Sequence, residues 1–542
     1  MLFFNPAAAR SWHLVEPLRA QRDVLSPEKL QEWRAAGNLT IVKESSHRAV
    51  YRLTLPELDV HIKHNRGADW RAAIREAIRP CKAEREFRLA RMLRERGIAV
   101  PEPLGWAADS DSRVRSSWLI SRTCPGVPLS RIPADGADRH VWARRLGQFL
   151  AQLHDAGIFH HDLHPDNILA EPDGRLWLLD LHAVRIRRST SWRRRQDNLV
   201  ILNRFFSLRA SRSERLRFWR AYLASSGVQP TVPGDQAPRE LERLTLESNR
   251  QFWAARDRRC VSVNRRYRQV CAPGVRGWAV AELSDADLAR LRRHPPDLRE
   301  TAAPLKAGPS STVVETMVEV AGHPTPAILK HLHRGRRRDR WWSGMRTDPA
   351  MRSWINGHAL LSRCLPTARP LAVVRWTAGA AAGESCLLTE RIGGAIDLRA
   401  MADRWPTSDS GRFSPAMTGR IEALGRLLRL FHERGLAHRD LKAPNILTSQ
   451  SLDDHRFWFI DLVGVERCGV VSTGRRARDL ARLAASFVNH PAISRAHRLR
   501  FLRGYLNWGL NGRSGWKSWW RRIAERVQDK VARNQRHGRP LA

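Results

Sequence analysis

The sequence is poor in cysteine and lacks any long apolar run. Its seven cysteines are odd in number, scattered along 542 residues and include no C-x-x-C pair. They predict reduced structural thiols, and they exclude a disulfide framework or a cysteine-based zinc site. No stretch reaches the roughly 18 apolar residues of a membrane-spanning helix, and the first residues lack the basic segment of a secretory signal. We therefore expect a cytoplasmic protein without a transmembrane segment.

Acidic residues are scarce beside basic ones. Ninety-four Lys and Arg stand against 54 Asp and Glu, which gives a formal net charge of +40. Such a surplus favours an anionic partner, either a nucleic acid, an acidic membrane surface or a phosphorylated substrate, and charge alone does not choose among them. The length allows two to four domains of about 150 residues each.

An internal repeat organises the chain. The stretch FHHDLHPDNILAEPDGRLWLLDLH (159–182) returns, with its key residues in the same order, as AHRDLKAPNILTSQSLDDHRFWFIDLVG (437–464). Further along, RRRQDNLVIL (193–202) returns as RRARDLARLA (475–484), which pairs Asp197 with Asp479 as helix-capping or surface carboxylates, with bracing of the preceding loop as the alternative role. A nearly constant offset over separate stretches indicates a tandem duplication.

Each half begins with strands and continues with helices. Alternating, β-branched residues at 39–64 and 303–332 predict a hairpin whose last strand carries a lysine, and a helical stretch and a Pro-bounded strand follow. We therefore predict an α+β fold of two bilobal modules, each with a small β-rich lobe and a mainly helical lobe. The predicted boundaries are 1–229 for the first module, 230–300 for a linker and basic helix that belongs either to the linker or to the second upper lobe, and 301–542 for the second.

The repeated polar residues suit phosphoryl transfer. This chemistry needs a cation on the nucleotide phosphates, oxygen ligands for Mg²⁺ and an Asp that accepts the proton of the acceptor hydroxyl. A strand lysine, an Asp and an Asn five apart on one loop, and an Asp after the next strand supply these groups in a protein-kinase-like order. The sets are Lys63, Asp162, Asn167 and Asp180 in the first half, and Lys330, Asp440, Asn445 and Asp461 in the second. We expect the Asp of each loop to be the base, the lysine to bind nucleotide, and the Asn and later Asp to bind metal, whereas His160 and His438 support the loops.

The two halves differ around the nucleotide. Glu86 shares an inward helix face with Leu89, Ala90 and Leu93 and can therefore pair with Lys63. Glu84 is the alternative partner. In the second half, alignment puts Ser353 at the position of Glu86. The second half instead has a candidate phosphate loop, which consists of Gly308, Ser310 and Ser311, and Lys442 within its catalytic loop. The corresponding KESSHR around Ser45 and Ser46 has no glycine, and neither half has a complete G-x-G-x-x-G loop.

The two H-x-D-L-x-x-x-N loops, the stretches RGIAVPEPLGW and CLPTARPLAVV, and the short apolar strands that end in Asp resemble the bacterial lipopolysaccharide kinases. Those enzymes phosphorylate Kdo or heptose of the lipopolysaccharide inner core. The resemblance covers residues 35–225 and 300–508 and implies a protein-kinase-like fold, ATP with Mg²⁺ and an anionic saccharide or glycolipid as acceptor. HRDLKAPN, with Lys442, is closer to protein kinases, so a protein Ser/Thr kinase and a pseudokinase scaffold on an anionic surface stay open as alternatives.

Two segments interleave Trp with Arg, at 333–342 and 516–540. This pattern is typical of a segment that rests on anionic headgroups, and it favours peripheral contact with the cytoplasmic face of the inner membrane over binding of nucleic acid. The alternative is a solvated helix whose Trp side chains pack on the protein.

Overall fold

The structure is a computed structural model. It describes residues 12–16, 18–19, 25–45, 48–66, 80–108, 116–132, 138–188, 191–233, 236–293, 304–333, 348–405, 415–451, 453–507 and 515–538. The chain divides into two compact units, Met1–Ser248 and Asn249–Ala542.

The first unit begins with a six-stranded antiparallel sheet. Its strands are β1 (Trp12–Leu14), β2 (Leu39–Ser45), β3 (Arg48–Leu55), β4 (Leu58–Asn65), β5 (Pro103–Ala108) and β6 (Ser117–Arg122), in the order β1-β5-β6-β4-β3-β2. The stretch predicted as a hairpin thus forms three strands, the last of which carries Lys63. Helix α1 (Pro27–Ala35) precedes the sheet strands β2–β6, and α2 (Lys82–Glu95) packs against β5 and β6.

The rest of the first unit is mainly helical. Its helices are α3 (Arg139–Asp155), α4 (Trp192–Arg209), α5 (Arg212–Ser225) and α6 (Ala237–Arg256), the last of which crosses the division between the units. Short strands β7 (Val127–Pro128), β8 (Ile158–His160), β9 (Ile168–Ala170), β10 (Leu176–Leu178) and β11 (Val184–Ile186) form two small sheets. Gly147 lets α3 and α5 approach closely, because a Cβ there would meet the Phe218 carbonyl oxygen.

The second unit repeats this plan with one more strand in its sheet. The strands are β12 (Tyr267–Ala272), β13 (Val275–Val280), β14 (Pro304–Ala307), β15 (Ser311–Val320), β16 (His323–Leu332), β17 (Pro370–Trp376) and β18 (Ser385–Glu390), in the order β12-β13-β17-β18-β16-β15-β14. Helix α7 (Asp285–Arg292) follows β13, and α8 (Pro349–Ser362) packs on β17 and β18. The segment 230–300 therefore contributes two strands to the second sheet.

The helical part of the second unit follows the same order. Its helices are α9 (Leu398–Asp403), α10 (Pro415–Glu433), α11 (Thr473–Ala485), α12 (Arg495–Leu506) and α13 (Trp516–Arg536). Its short strands are β19 (Ala395–Asp397), β20 (Leu436–His438), β21 (Ile446–Ser449), β22 (Phe457–Phe459) and β23 (Val465–Arg467). Gly425 on α10 repeats the role of Gly147, because a Cβ there would overlap the Phe501 carbonyl of α12.

In each unit the sheet and the helices have separate apolar cores. Tyr51, Ile62 and Ile120 belong to the core of the first sheet, whereas Leu150 and Trp219 belong to the core between the helices. The second unit shows the same separation. The prediction of an α+β fold with a β-rich and a mainly helical lobe in each module is therefore confirmed.

The C-terminal tryptophans pack on the protein. Trp516, Trp519 and Trp520 of α13 are partly buried against the helical core of the second unit. Of the other Trp–Arg segment, 333–342, only His333 falls within the described residues. No helix within the described ranges is long and apolar enough to cross a membrane.

Candidate active sites

The catalytic loop follows a short β-strand in both units. β8 pairs with β11, and β20 pairs with β23, so each loop is fixed by two antiparallel strands. Asn167 Nδ2 donates to the Asp162 carbonyl oxygen at 2.8 Å, and Asn445 Nδ2 donates to the Asp440 carbonyl oxygen at 2.9 Å. The same hydrogen bond therefore closes both loops between residues five apart, and it uses the NH₂ group of each Asn and not its amide oxygen.

The candidate nucleotide lysines meet the later aspartates, as the order of the motifs predicted. Lys63 Nζ lies 3.2 Å from Asp180 Oδ1, and Lys330 Nζ lies 2.8 Å from Asp461 Oδ1. Both aspartates have a left-handed backbone, with φ of 56° and 53°. Asp tolerates this conformation better than most residues, and here it turns the chain from a strand into a short 3₁₀ helix.

Lys63 is held by a second carboxylate. Its Nζ lies 2.7 Å from each carboxylate oxygen of Glu86 on α2, and the side chains of the pair are only 11% and 7% exposed. A buried lysine with two carboxylates keeps its charge in a fixed place, where the phosphates of a nucleotide can bind.

Among the residues that the structure describes, Lys330 pairs with one carboxylate, that of Asp461. Helix α8, which is equivalent to α2, contains no acidic residue, and Ser353 occupies the buried position that corresponds to Glu86. The Lys330 and Asp461 side chains are 25% and 39% exposed, so water screens their ion pair more strongly. α8 contacts the Asp461 region in another way, because Asn356 Nδ2 donates to the Leu462 and Val465 carbonyl oxygens.

Asp180 accepts from three side-chain donors. Arg48 and His182 join Lys63 at Oδ1, at 3.0 and 2.8 Å. Burial by itself would raise the pKa of this carboxyl, but the His182 hydrogen bond and the charges of Lys63 and Arg48 lower the pKa well below its ordinary value. Asp180 therefore stays ionised, and because these donors converge on Oδ1, Oδ2 is the oxygen best placed for a metal ion.

The two catalytic-loop aspartates have different neighbours. Lys442 Nζ lies 3.1 Å from Asp440 Oδ2, and although burial would raise the Asp440 pKa, the Lys442 hydrogen bond and charge lower it. The first unit has His164 at the place of Lys442, and its Nδ1 lies 3.3 Å from Asp166 instead. Asp162 is exposed and has Arg204 within electrostatic range.

The predicted pairing of Asp197 with Asp479 is wrong. Asp479 is buried and accepts a hydrogen bond from the His438 backbone N–H at 2.8 Å, so it braces the loop. In the first unit Asn198 takes this place, because its side chain bonds both the N–H and the carbonyl of His160, whereas Asp197 is exposed. A constant offset of 281, the spacing of Asp180 and Asp461, would have pointed to Asn198.

The loop histidines support the backbone. His160 Nδ1 and His438 Nδ1 accept the N–H of Asp162 and Asp440 at 3.2 and 3.1 Å. Burial lowers the pKa of both imidazoles, and that of His438 falls to about 4. They are therefore neutral at neutral pH and keep the lone pair that these hydrogen bonds need.

The candidate phosphate loop is the turn between β14 and β15. Gly308 N–H donates to the Ser311 carbonyl at 3.0 Å, and Ser310 O accepts from the His333 N–H at 3.1 Å. A Cβ at Gly308 would come no nearer than 3.7 Å to any other atom, so the glycine leaves open space beside the turn. In the first unit Ser45 Oγ donates to the Arg48 carbonyl, and Ser46 lies outside the described residues.

The residues fit a magnesium ion. Mg²⁺ prefers carboxylate and carboxamide oxygens, and each unit supplies one Asp beside the candidate nucleotide lysine and one Asn on the loop. The pairs are Asn167 with Asp180 and Asn445 with Asp461. The Asn NH₂ group is already used on the loop carbonyl, so the amide oxygen is the atom of this side chain that could accept a cation.

A family model describes both units. The model of the lipopolysaccharide kinase (Kdo/WaaP) family matches residues 33–222 and again residues 310–505, which together exceed half of the chain. The chain belongs to this family. The Kdo/WaaP match in two copies confirms the resemblance seen in the motifs and the tandem arrangement of two kinase-like modules.

Curated relatives match only part of the chain. The 3-deoxy-D-manno-octulosonic acid kinase of Xylella fastidiosa is 36% identical over 149 residues, which is 25% of this chain and 57% of the relative. The enzyme of the same name from Stenotrophomonas maltophilia is 35% identical over 162 residues, which is 28% of this chain and 62% of the relative. The enzyme of the same name from Actinobacillus succinogenes is 28% identical over 196 residues, which is 33% of this chain and 75% of the relative. The chain thus spans little more than half the length of the first two relatives.

Two solved structures are distantly similar to parts of the chain. The structure of WaaP in complex with acyl carrier protein is 21% identical, covers 43% of this chain and 99% of its own, and has a TM-score of 0.32. The crystal structure of WbdD is 16% identical, covers 38% of this chain and 50% of its own, and has a TM-score of 0.24.

Besides Asn198, the sequence analysis missed Arg48, Arg204 and Lys530. Arg48, on β3, reaches Asp180 across the sheet, and no motif marks it. Arg204 and Lys530 lie near Asp162 and Asp440, as their electrostatic interactions show. Arg204 and Lys530 lie on helices that carry no motif, so only the folded structure brings them near the loops.

Proposed function

We propose that this chain is an ATP-dependent phosphotransferase that acts on an envelope saccharide, Kdo or heptose of the lipopolysaccharide inner core. The observation that carries the proposal is the repeated approach of a strand lysine to the aspartate that follows the catalytic loop, at 3.2 Å in one unit and 2.8 Å in the other. Membership of the Kdo/WaaP family and the names of the partial relatives support the choice of acceptor.

Nucleotide binding falls to residues at the sheet and its turn. Lys63, fixed by Glu86, and Lys330 each bind the non-transferred phosphates, and the turn of Gly308, Ser310 and Ser311 faces them in the second unit. Bound Mg²⁺ would neutralise the phosphate charge, with Asn167 and Asp180, or Asn445 and Asp461, as its protein ligands. These residues thereby hold the γ-phosphoryl group over the catalytic loop.

The catalytic loop handles the acceptor. Asp162 and Asp440 orient the acceptor hydroxyl and take its proton as the new P–O bond forms. Lys442, 3.1 Å from Asp440, stands where it can contact the transferred phosphoryl oxygens. His160 and His438 keep these aspartates in place through their backbone N–H groups.

Basic residues around the loops favour an anionic acceptor. Burial lowers the pKa of Lys530 of α13. The charges of Arg482 and Lys442 lower this pKa further and that of Asp440 raises it, so Lys530 lies within electrostatic range of these three residues. Arg204 occupies a similar position near Asp162. A sugar acid or a phosphorylated glycolipid supplies the negative charge that such a cluster attracts.

We further propose a cytoplasmic location with peripheral contact to the inner membrane, through basic side chains. The partial burial of Trp516, Trp519 and Trp520 weighs against insertion of these rings into lipid. The excess of positive charge supports attraction to anionic headgroups, and binding of nucleic acid is the weaker interpretation.

The decisive experiment compares acceptors. The full-length chain is incubated with Mg²⁺-ATP and either a Kdo-containing lipid A or casein, and mass spectrometry shows which acceptor gains a phosphate. We expect transfer to the saccharide, and none from a variant with both Asp162→Asn and Asp440→Asn. Transfer to casein alone would show a protein kinase instead, and ATP binding without transfer to either acceptor would show a pseudokinase scaffold.

A further inference from the structure

Two histidines and a glutamate converge behind the candidate phosphate loop of the second unit. His331 is the penultimate residue of β16, His333 follows the strand, and Glu384 precedes β18. His331 Nε2 lies 2.7 Å from Glu384 Oε2, and one ligand atom from each of the three residues lies within 4.8 Å of the others. None of the three has a role in the phosphotransfer chemistry described above.

The arrangement has the ligands of a transition-metal site. His–x–His on an extended segment places two imidazoles on one face, because side chains alternate along a strand. A tetrahedral zinc ion with bonds of about 2.0–2.1 Å holds its ligands roughly 3.3 Å apart, so small side-chain rotations bring the three groups to that spacing. His331 is buried and Glu384 is 21% exposed at its side chain, which gives a fixed base and a path for the ion.

We propose that His331, His333 and Glu384 bind one Zn²⁺ ion, with water as the fourth ligand. Imidazole and carboxylate together suit zinc better than Mg²⁺, which prefers oxygen ligands alone. The scarcity of cysteine excludes a zinc site made of thiolates, but a site made of two histidines and a glutamate needs no cysteine.

A metal here would hold the phosphate-loop turn. The His333 N–H donates to the Ser310 carbonyl at 3.1 Å, and the His333 ring lies 2.9 Å from Thr312 Oγ1 on β15. On the other side, Ser385, next to Glu384, donates through Oγ to Asp348, the N-cap of α8. A zinc ion would therefore join the end of β16 to the residue before β18, and the hydrogen bonds of His333 and Ser385 would extend this link to the turn and to the start of α8.

The first unit shows the same link made without a metal. Arg66, which directly follows β4, is at the position of His333, three residues after the lysine, and its Nη1 donates to the Ser45 carbonyl of the corresponding turn at 2.8 Å. His64, which corresponds to His331, stacks on Trp118. Ser116 stands at the place of Glu384. The first unit therefore has only one of the three ligands and serves as an internal control.

Zinc binding by the full-length chain tests the proposal. Zn²⁺ is titrated in competition with a chromophoric chelator, with millimolar Mg²⁺ present to occupy the oxygen sites. We expect one equivalent that is lost or bound at least ten-fold more weakly in His333→Gln and in Glu384→Gln. His323→Gln, at the exposed start of the same strand, is the matched control and should bind like the unmodified chain.

Hydrogen exchange gives a second readout that does not depend on activity. Zn²⁺ should slow amide exchange in peptides that cover 304–333, and His333→Gln should remove this protection without changing the exchange of peptides that cover 39–66. The proposal is overturned if the double variant His333→Gln/Glu384→Gln binds zinc with the stoichiometry and affinity of the unmodified chain. Loss of the bound ion in His323→Gln to the same degree would also overturn it.

Discussion

Lys63 Nζ lies 2.7 Å from both carboxylate oxygens of Glu86, while the buried position that corresponds to Glu86 in the second unit is Ser353. Within the described ranges, the first candidate nucleotide lysine is thus held by two carboxylates and the second by one. This difference predicts that the two modules respond differently to changes on their sheet-packed helices.

Glu86→Gln should weaken nucleotide binding by the first module. The amide keeps the shape of the side chain but removes the charge that aims Lys63, and charge-assisted hydrogen bonds to ionised groups contribute about 1.5–3 kcal/mol. We expect ATP affinity to fall on the order of 10-fold to 100-fold, measured with a fluorescent ATP analogue in a chain whose second module carries Asp461→Asn. Ser353→Ala, measured with Asp180→Asn in the first module, should change affinity less than two-fold. Equal losses in both would mean that α2 and α8 are misaligned.

Substitution of the loop aspartates should reveal which module turns over. Asp162→Asn or Asp440→Asn removes a general base, and such losses cost on the order of 10² to 10⁴ in rate. Since both loops keep the same geometry, we expect each single variant to lose part of the transfer and the double variant to lose all of it. If one substitution abolishes transfer and the other leaves products and rates unchanged, the module in which the substitution had no effect is a pseudokinase.

Asp479 should matter far more for stability than Asp197, the residue that the sequence repeat matched to it. Asp479→Ala leaves the His438 N–H and the adjacent Arg482 without their buried acceptor, which costs about 2–4 kcal/mol. Asp479→Asn keeps an oxygen for His438, as Asn198 does for His160, and should cost less than the alanine variant. Asp197→Ala should stay within about 0.5 kcal/mol. Urea unfolding measures all three, and a loss from Asp197→Ala as large as that from Asp479→Ala would contradict this assignment.

Stability should fall as the pH is lowered from 7 to 4. Burial lowers the pKa of His438 to about 4, from an ordinary value of 6.5, and it lowers those of His64 and His154 to about 4 as well. Below pH 6.5 the unfolded chain therefore binds protons that the folded chain does not, and the loss is complete near pH 4. Each fully buried imidazole contributes at most about 3 kcal/mol.

Urea titrations at pH 7.5, 6.5, 5.5 and 4.5 measure this dependence. His438→Gln should flatten the curve, whereas His323→Gln, at an exposed position, should leave its slope unchanged. A free energy of unfolding that stays constant between pH 7.5 and 4.5 would show that these histidines do not titrate as their burial demands.

Gly425→Ala should destabilise the second unit. The added methyl would overlap the Phe501 carbonyl and push α10 away from α12, and such overpacking costs about 1–3 kcal/mol. Gly474→Ala is the matched control, since no atom lies within 4 Å of its added Cβ and alanine favours a helix, and it should be neutral or stabilising by up to about 1 kcal/mol. Calorimetry of both variants gives the comparison, and a Gly425→Ala midpoint at or above that of the unmodified chain would argue against the close packing of the helices.

The sequence predicted the parts of the site that lie on short, ordered motifs. The convergence of Lys63 with Asp180 and of Lys330 with Asp461 follows from the protein-kinase-like order of strand lysine, loop and later Asp, whose groups must meet around one nucleotide although 117 and 131 residues separate them. The pairing of Glu86 with Lys63 followed from its place on the apolar face of a helix. The predicted boundary at residue 229 stays a prediction, and the compact unit runs on to Ser248.

Other contacts could not be predicted because they depend on side-chain reach and on exact register. Asn198 replaced Asp197 through a shift of one residue, which turns a helix position by about 100° and moves it from solvent to the core. Arg48 meets Asp180 although 132 residues separate them. The cluster of His331, His333 and Glu384 needs two strands in register, and neither strand alone carries a metal motif.

The unequal restraint of Lys63 and Lys330 has a consequence for titrations of the intact chain. Because both modules lie on one polypeptide, their sites are always present in equal numbers, whatever the preparation. A binding isotherm for nucleotide should therefore resolve into two steps of equal amplitude, with the step at lower concentration assigned to the module that holds its lysine by two carboxylates. Each molecule thus carries its own reference site, and the ratio of the two dissociation constants is free of errors in protein concentration.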